Sequence, residues 1–266
     1  MGTPLRFSKK SEVMDATVLG IKFFKGSTKQ ALFKSLEGGL LVAPSGPGMA
    51  NDLIRCDEYA RALASADVVL LDSGFISLWS KIFFKEKLTR NSGLKFLQYF
   101  LNAKKLDLSN SLWIMPDSDQ SECNRKWLSE AYGIKVSRDR FYIAPQYPKK
   151  GKIGDPNLLK LFLDLKPKHV LIQLGGGVQE RLGLYLRERA NFKTSIFCTG
   201  AAIAFLSGLQ NTIPRWADRI YMGWLLRCFY EPRLFIPRYF KALRLIFLLS
   251  KYGKEAPMNY DNQICG

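Results

Sequence analysis

Two apolar runs, each ended by glycine, constrain this chain more than any other feature. His169 to Leu174 is stopped by Gly175-Gly176-Gly177, and Gln179-Glu180 then open a helical pattern. Ser195 to Cys198 is stopped by Thr199-Gly200 and passes into a stretch of small residues, Ala201 to Leu209. A short unbroken apolar run bounded by turn residues fits a strand buried on both faces, and glycine marks the way out of it. Two successive strand-to-helix units of this kind imply parallel pairing, because the chain must cross back through a helix before the next strand.

The preceding residues repeat the alternation. Ala16 to Phe23 reads as a first strand, and Ser27 as the cap of a helix running to about Leu36 and closed by Gly38-Gly39. Leu40 to Ala43 is a short buried strand. Pro44-Ser45-Gly46-Pro47-Gly48 is a loop in which Gly46 would let backbone approach a ligand closely, or an ordinary tight connection. Asn51 to Ala64 reads as an amphipathic helix, and Asp67 to Leu71 as a strand ended by Asp72-Ser73-Gly74. Helices follow at Phe75 to Phe84 and Gly93 to Ala103. Leu112 to Met115 is a strand, Glu122 to Tyr132 a helix, Phe141 to Ala144 a strand and Leu158 to Leu165 a helix. The expected fold is a mostly parallel sheet with helices on both faces, occupying residues 1–210. Beyond that no strand pattern appears. Residues 211–266 read as a helical appendage, with helices at Pro214 to Phe229 and Pro232 to Lys251.

Charge separates the two parts. The chain carries a formal +17, and Ile213 to Lys254 holds nine Lys/Arg against Asp218 and Glu231, a local +7. Such a balance favours polyanions: nucleic acid, anionic lipid or phosphorylated substrates. On a helical wheel Arg238, Lys241, Arg244 and Lys251 share one side. Phe235, Ile236, Ile246 and Leu249 lie largely off it, the pattern of an interfacial helix or of one packed on the core. The five cysteines, Cys56, Cys123, Cys198, Cys228 and Cys265, have no metal-ligand spacing and fit a reducing compartment. Met1 to Lys10 lacks the apolar core of a secretory signal. Thr194 to Pro214 is uncharged but too interrupted by polar residues to span a membrane.

Ligands of parallel α/β sheets bind beyond the carboxyl ends of the strands. Asp72 sits at such an end, as a candidate general base or as the cap of the following helix. Arg90 is a candidate phosphate ligand or a surface charge. Asp117 and Asp119 suggest a metal only weakly and read better as a solvated turn. His169, the sole histidine, has no chemical partner nearby in sequence and reads as structural. No P-loop, nucleophile elbow or complete dinucleotide fingerprint is present, so no cofactor is expected.

From Ala16 to Tyr239 the chain resembles the WecG/TagA/CpsF family of bacterial glycosyltransferases, glycosyltransferase family 26. The resemblance rests on Ala66-Asp67-Val68-Val69…Asp72, Gly175…Gln179-Glu180, Gly200-Ala201-Ala202…Phe205-Leu206…Gly208, Pro214-Arg215-Trp216, Trp224…Arg227 and Glu231-Pro232-Arg233…Arg238-Tyr239. It implies a Rossmann-like fold and transfer of a sugar from a nucleotide-sugar donor, usually UDP-linked, to a sugar on a polyprenyl diphosphate. It places that work peripherally at the cytoplasmic face of the cell membrane, in cell-surface polysaccharide synthesis. By the same resemblance Asp72 is the base and Arg90 lies near it. Gly46, Gly175, Gln179 and Glu180 line the substrate site. Arg227, Arg233 and Arg238 offer forked donors to phosphate oxygens. The partners implied are the nucleotide sugar, the lipid-linked acceptor and an anionic membrane surface; a homo-oligomer is left open. The chain departs from the family where T-x-N-P is replaced by Pro44-Ser45-Gly46-Pro47, and D-G-x-G by Asp72-Ser73-Gly74-Phe75. Three readings follow: a glycosyltransferase, a degenerate binding subunit of a polysaccharide assembly complex, and a nucleic-acid binder. The last rests on charge alone, without any recognition motif.

Overall fold

A computed structural model describes residues 15–103, 106–209 and 243–257, together with Arg233 and Phe240. The strands are β1 (Ala16–Val18), β2 (Ile21–Phe23), β3 (Gly39–Val42), β4 (Val68–Val69), β5 (Ser111–Met115), β6 (Phe141–Ile143), β7 (His169–Ile172) and β8 (Ser195–Cys198). The helices are α1 (Thr28–Ser35), α2 (Gly46–Asp52), α3 (Asp57–Ser65), α4 (Gly74–Phe83), α5 (Gly93–Leu101), α6 (Ser118–Tyr132), α7 (Pro156–Leu165), α8 (Val178–Arg189), α9 (Ala202–Leu206) and α10 (Arg244–Tyr252).

One sheet of eight strands runs in the order β1-β2-β4-β3-β8-β7-β5-β6, parallel throughout except for β1 against β2. The fold is α/β and Rossmann-like. The apolar runs are continuous because both faces of the sheet are covered. Successive side chains go to opposite layers. Leu40, Val42, Val170, Ile172, Ile196 and Cys198 join the core under α2, α3, α7 and α8. Leu41, Leu171 and Phe197 join the core under α1, α5, α6 and α9. His169 is buried against the rings of Phe100 and Phe197, as a structural residue would be. Burial holds its imidazole down to about 4, with Lys168 adding to the effect.

Several elements differ locally from expectation, each for a visible reason. Ala16 to Phe23 is a hairpin rather than one strand, turning at Leu19-Gly20 with both φ angles positive (53° and 74°). The Pro44 to Gly48 segment is less a loop than a helix start: Ser45 caps α2 by accepting from the Gly48 N–H at 3.2 Å, and Pro47 sits in the first turn, where its missing N–H is harmless. Asn51 to Ala64 is therefore two helices. α3 begins afresh at Asp57-Glu58, two acids at the end of the helix that favours them. Asp117 caps α6, its Oδ1 accepting from the Gln120 N–H at 2.7 Å. Ser73, not Asp72, caps α4.

The end of the described chain belongs to the core. Leu245, Leu248 and Leu249 of α10 are buried with the residues beneath α2 and α3. Beyond the helix, the Leu19 and Gly20 N–H groups donate to the Gly253 and Lys254 carbonyls at 3.0 and 2.9 Å. A side chain at Gly20 would meet Ala256 at 2.6 Å. The other residues expected to form the basic appendage, including the helix at 214–229 and residues 232–242 of the helix expected over Pro232 to Lys251, lie outside the described residues apart from Arg233 and Phe240. Leu248 is fully buried, so Leu248→Ala should destabilise the whole fold by about 2–4 kcal/mol, the range for deleting a buried leucine side chain. Urea unfolding of that variant checks this. A loss within about 0.5 kcal/mol, typical of surface sites, would mean that α10 is not part of the cooperative core.

Candidate functional site

The turns that leave the carboxyl ends of the central strands converge. A Cβ on Gly46, the first residue of α2, would lie 2.8 Å from Ser73 Oγ and 3.6 Å from Leu245 Cδ2. A Cβ on Gly176 would face Ser45 Oγ at 3.9 Å, and one on Gly93 would meet the Thr199 carbonyl at 3.1 Å and Ala43 Cβ at 3.2 Å. The head of α2 thus touches both the Asp72–Ser73 turn after β4 and the glycine turn after β7. β5 leads outward to β6 while its neighbour β7 leads inward to β8, so the glycine turn flanks a topological switch point, the usual place for a ligand in such sheets.

Asp72 is partly exposed, its side chain 31% accessible. Arg90 lies beside it. Its Nε donates to the Asp72 main-chain carbonyl at 2.8 Å, and its Nη2 stands 3.8 Å from Asp72 Oδ1, an ion pair rather than a hydrogen bond. The segment that carries Arg90 is fixed on both sides. The Asn91 N–H donates to the Leu71 carbonyl at 2.9 Å, and the buried Asn91 side chain donates to Gly26 O and accepts from Thr28 Oγ1, each at 2.8 Å. Leu88 O accepts from Ser77 Oγ at 2.7 Å. Arginine and aspartate are therefore held in one place by groups that neither of them supplies.

The glycine turn is built from buried polar side chains. Gln179 Oε1 accepts from the Gly200 N–H at 2.7 Å, and its Nε2 donates to Glu180 Oε1 at 3.1 Å. Glu180 Oε2 accepts from the Gly177 N–H at 2.7 Å, closing the turn onto α8. Both residues are buried, 3% and 1% accessible. They shape the turn from behind rather than line an open surface. Gly175 has nothing within 4 Å of a Cβ position, which makes it the open point of the turn. Gly177 needs its positive φ of 87°, and a side chain there would strike Asp52 Oδ2 at 2.9 Å. Burial pushes the Glu180 carboxyl up to about 7 against the pull of its hydrogen bonds, and it pushes Asp52 up as well.

Three residues of this network carry no motif. Gln173 donates to Thr199 Oγ1 at 2.8 Å and accepts from the Ile203 N–H at 3.3 Å, so it ties the end of β7 to β8 and to α9. A glutamine breaking the apolar run before the glycines was the one sequence signal for it. Arg181, 3% accessible, donates to three carbonyls: Gly177 at 2.6 Å, Gly151 at 2.7 Å and Pro148 at 2.8 Å. It thereby fastens the lysine-rich loop after β6 to the glycine turn. Asp52 comes from a helix that the sequence reading began too late.

Of the remaining expected residues, Gly46 is buried, and its lack of a side chain admits Ser73 and Leu245. Arg233 is exposed, while Arg227 and Arg238 lie outside the described residues. No group of three metal-ligating side chains gathers among the described residues. A shallow cavity lined by Gly39, Asp67, Arg187 and Thr194 lies at the amino ends of the strands, on the far side of the sheet. There Asp67 Oδ2 accepts from the Leu40 N–H at 2.8 Å and Arg187 pairs with Oδ1 at 3.2 Å, which is structural work.

The family model described as glycosyl transferase WecG/TagA/CpsF matches residues 16–257, most of the chain. No curated protein matches it.

The buried Glu180 supplies a pH signature. Between its ordinary value of 4.5 and about 7, the folded protein keeps a proton that the unfolded chain has lost. Stability from this group is complete at low pH and falls as pH rises through that window, by roughly 3 kcal/mol at most. His169 works in the opposite sense, its share being lost as pH falls from 6.5 towards 4. The comparison that isolates Glu180 is therefore wild type against Glu180→Gln, measured by urea unfolding at several pH values. The variant should gain on the wild type as pH rises from about 5 to 7. Parallel curves would mean that the carboxyl titrates normally.

Proposed function

Because the chain belongs to the WecG/TagA/CpsF family of glycosyl transferases, we propose that it is an inverting enzyme with Asp72 as its general base. The donor is a nucleotide sugar, UDP-linked, carrying a hexose or N-acetylhexosamine. The acceptor is a sugar on a polyprenyl diphosphate, within bacterial cell-surface polysaccharide synthesis at the inner face of the membrane.

One observation carries this reading. Asp72 stands at the carboxyl end of β4, partly open to solvent with the Arg90 guanidinium beside it, where the turns after β3, β7 and β8 come together. In the reaction the acceptor hydroxyl oxygen attacks the anomeric carbon and Asp72 takes its proton. The bond from the anomeric carbon to the phosphate oxygen breaks, and the nucleoside diphosphate leaves with the electron pair. Attack from the side opposite the leaving group inverts the anomeric centre. Arg90 offsets charge on the departing diphosphate. The donor lies along the open glycine at Gly175. Gln179 and Glu180 act through the turn, by holding Gly177 and Gly200 in place. Arg227, Arg233 and Arg238 hold the acceptor diphosphate. No step calls on a metal or a cofactor.

The absence of a membrane-crossing helix among the described residues is compatible with a peripheral enzyme. Asp72→Asn keeps the shape and removes the base, so turnover should fall by about 10²–10⁴-fold with an unchanged melting temperature. The assay is transfer from UDP-hexoses and UDP-N-acetylhexosamines to a short-chain polyprenyl-diphosphate sugar, read by mass spectrometry. Wild-type turnover in the variant would remove Asp72 from the mechanism. Tight donor binding without transfer by the unmodified protein would favour a non-catalytic binding subunit.

A further inference from the structure

Between β6 and α7 the chain exposes Lys149, Lys150 and Lys152 within four residues. A loop of that composition ordinarily moves in solvent. This one is pinned at three points. The Arg181 guanidinium, 3% accessible, donates to the Pro148 and Gly151 carbonyls at 2.8 and 2.7 Å, one on each side of Lys149 and Lys150. Ile153 is buried in the core beneath α7 and α8. Asp155 accepts from the Tyr142 and Tyr147 hydroxyls at 2.9 and 2.6 Å and caps α7. Enclosing a guanidinium is costly unless its donors are met. Here a buried charge is committed to fixing the backbone beneath two exposed lysines.

Strand order gives the loop its direction. β6 and β7 lie on either side of β5. To reach the glycine turn after β7 the loop crosses the width of β5, roughly 10 Å at the usual strand spacing. Arg181 marks the crossing: its Nε donates to the Gly177 carbonyl at 2.6 Å while its two Nη atoms hold the loop. The switch point between β5 and β7 is thus bridged by a rigid basic loop. The charges behind the turn agree. Burial pushes Asp52 and Glu180 up towards their neutral forms, while the cations Arg181, Arg55 and Lys150 all act on Asp52. The balance there is positive.

We propose that residues 148–152 form a phosphate clamp for the nucleotide end of the donor, with Lys150 as its principal ligand and Arg181 as the residue that positions it. Lys150 is singled out because its charge reaches Asp52, the neighbour of Gly177. The proposal rests on the reading of Asp72 as the base, and it fixes how the donor lies. β4 and β7 are three strands apart in the sheet, roughly 14 Å, a distance that an extended nucleotide sugar spans. The sugar then stands at Asp72 and Arg90, where its bond to the nearer phosphate breaks. The farther phosphate and the nucleoside lie by the loop. An ammonium binds phosphate as a point charge on a flexible stem, so a fixed backbone beneath it is what confines it to one place.

The test is titration calorimetry of the full chain with UDP, with uridine and with inorganic pyrophosphate. Wild type should bind UDP, and more weakly as salt rises. Lys149→Ala/Lys150→Ala alters only exposed side chains. It should weaken UDP and pyrophosphate by about tenfold or more, the usual worth of a hydrogen bond to a charged group, and leave uridine unchanged. Arg181→Lys keeps the charge but cannot hold three carbonyls. In that background the same alanine pair should cost much less than in wild type, because the lysines are already out of place. A merely structural arginine would show no such coupling. Should Arg181→Lys fail to fold, the alanine pair decides alone. UDP binding that the alanine pair leaves unchanged, or weakens no more than uridine binding, would overturn the clamp and leave the glycosyltransferase reading standing. So would wild type that transfers sugar yet shows no lysine-dependent affinity for pyrophosphate. Lysine-dependent binding of pyrophosphate, with no transfer from any nucleotide sugar, would instead sink that reading and keep the clamp.

Discussion

Burying a parallel sheet on both faces is the constraint from which the rest of this structure follows. Once helices cover both sides of β3, β8 and β7, polar chemistry has nowhere to go but the strand ends. The chain must turn sharply there, under cover of the next helix, without leaving backbone groups unpaired. The turns after β7 and β8 do so with side chains: Gln173, Gln179 and Glu180 bond the Thr199 hydroxyl and the Ile203, Gly200 and Gly177 N–H groups.

That solution has an electrostatic consequence. A carboxylate as enclosed as Glu180 is disfavoured in its charged form unless hydrogen bonds offset the burial, and here they offset only part of it. Asp52 lies across from Gly177 in the same enclosure and is pushed in the same direction. Arg181 gives all three of its hydrogen bonds to backbone carbonyls, so it stabilises a shape more than it neutralises a charge. The rigidity of the glycine turn is thus borrowed from a buried polar cluster behind it. Asp72 and Arg90 are held differently, by the main-chain and asparagine bonds of an extended segment laid against the end of β4. One wall of the site is braced from within the core and the other from the side.

The surface around the site is also divided. On one flank lies the lysine-rich loop fastened by Arg181; on the other lie α4 and α10, whose outer sides are apolar. Exposed apolar side chains of this kind carry a standing risk of aggregation. The net charge of +17 counters that risk in solution and draws the same surface towards anions.

The sequence by itself determined the order of strands and helices, the parallel character of the sheet and the family. These depend on local periodicity, on turn residues and on motifs that survive in one dimension, as in His169 to Gly177. It also marked Asp72, because a polar residue at the end of an apolar run stands out, whereas Gln179 was marked by the family resemblance. Boundaries were less legible: α2 begins five residues before the expected start at Asn51 because Ser45 caps it, a local hydrogen bond that periodicity does not register. Only the tertiary structure decided which groups face each other. Nothing in the spacing of Ser45, Ser73, Gly176 and Leu245 announces that they meet, since strand order, not chain order, makes them neighbours. The same holds for α4 and α10. The sequence left the stretch that forms α10 open between an interfacial helix and one packed on the core, and which side of an apolar helix is left outside is settled by how much neighbouring surface exists to cover it. α2 and the core beneath it cover one side of each, and no other described element covers the rest.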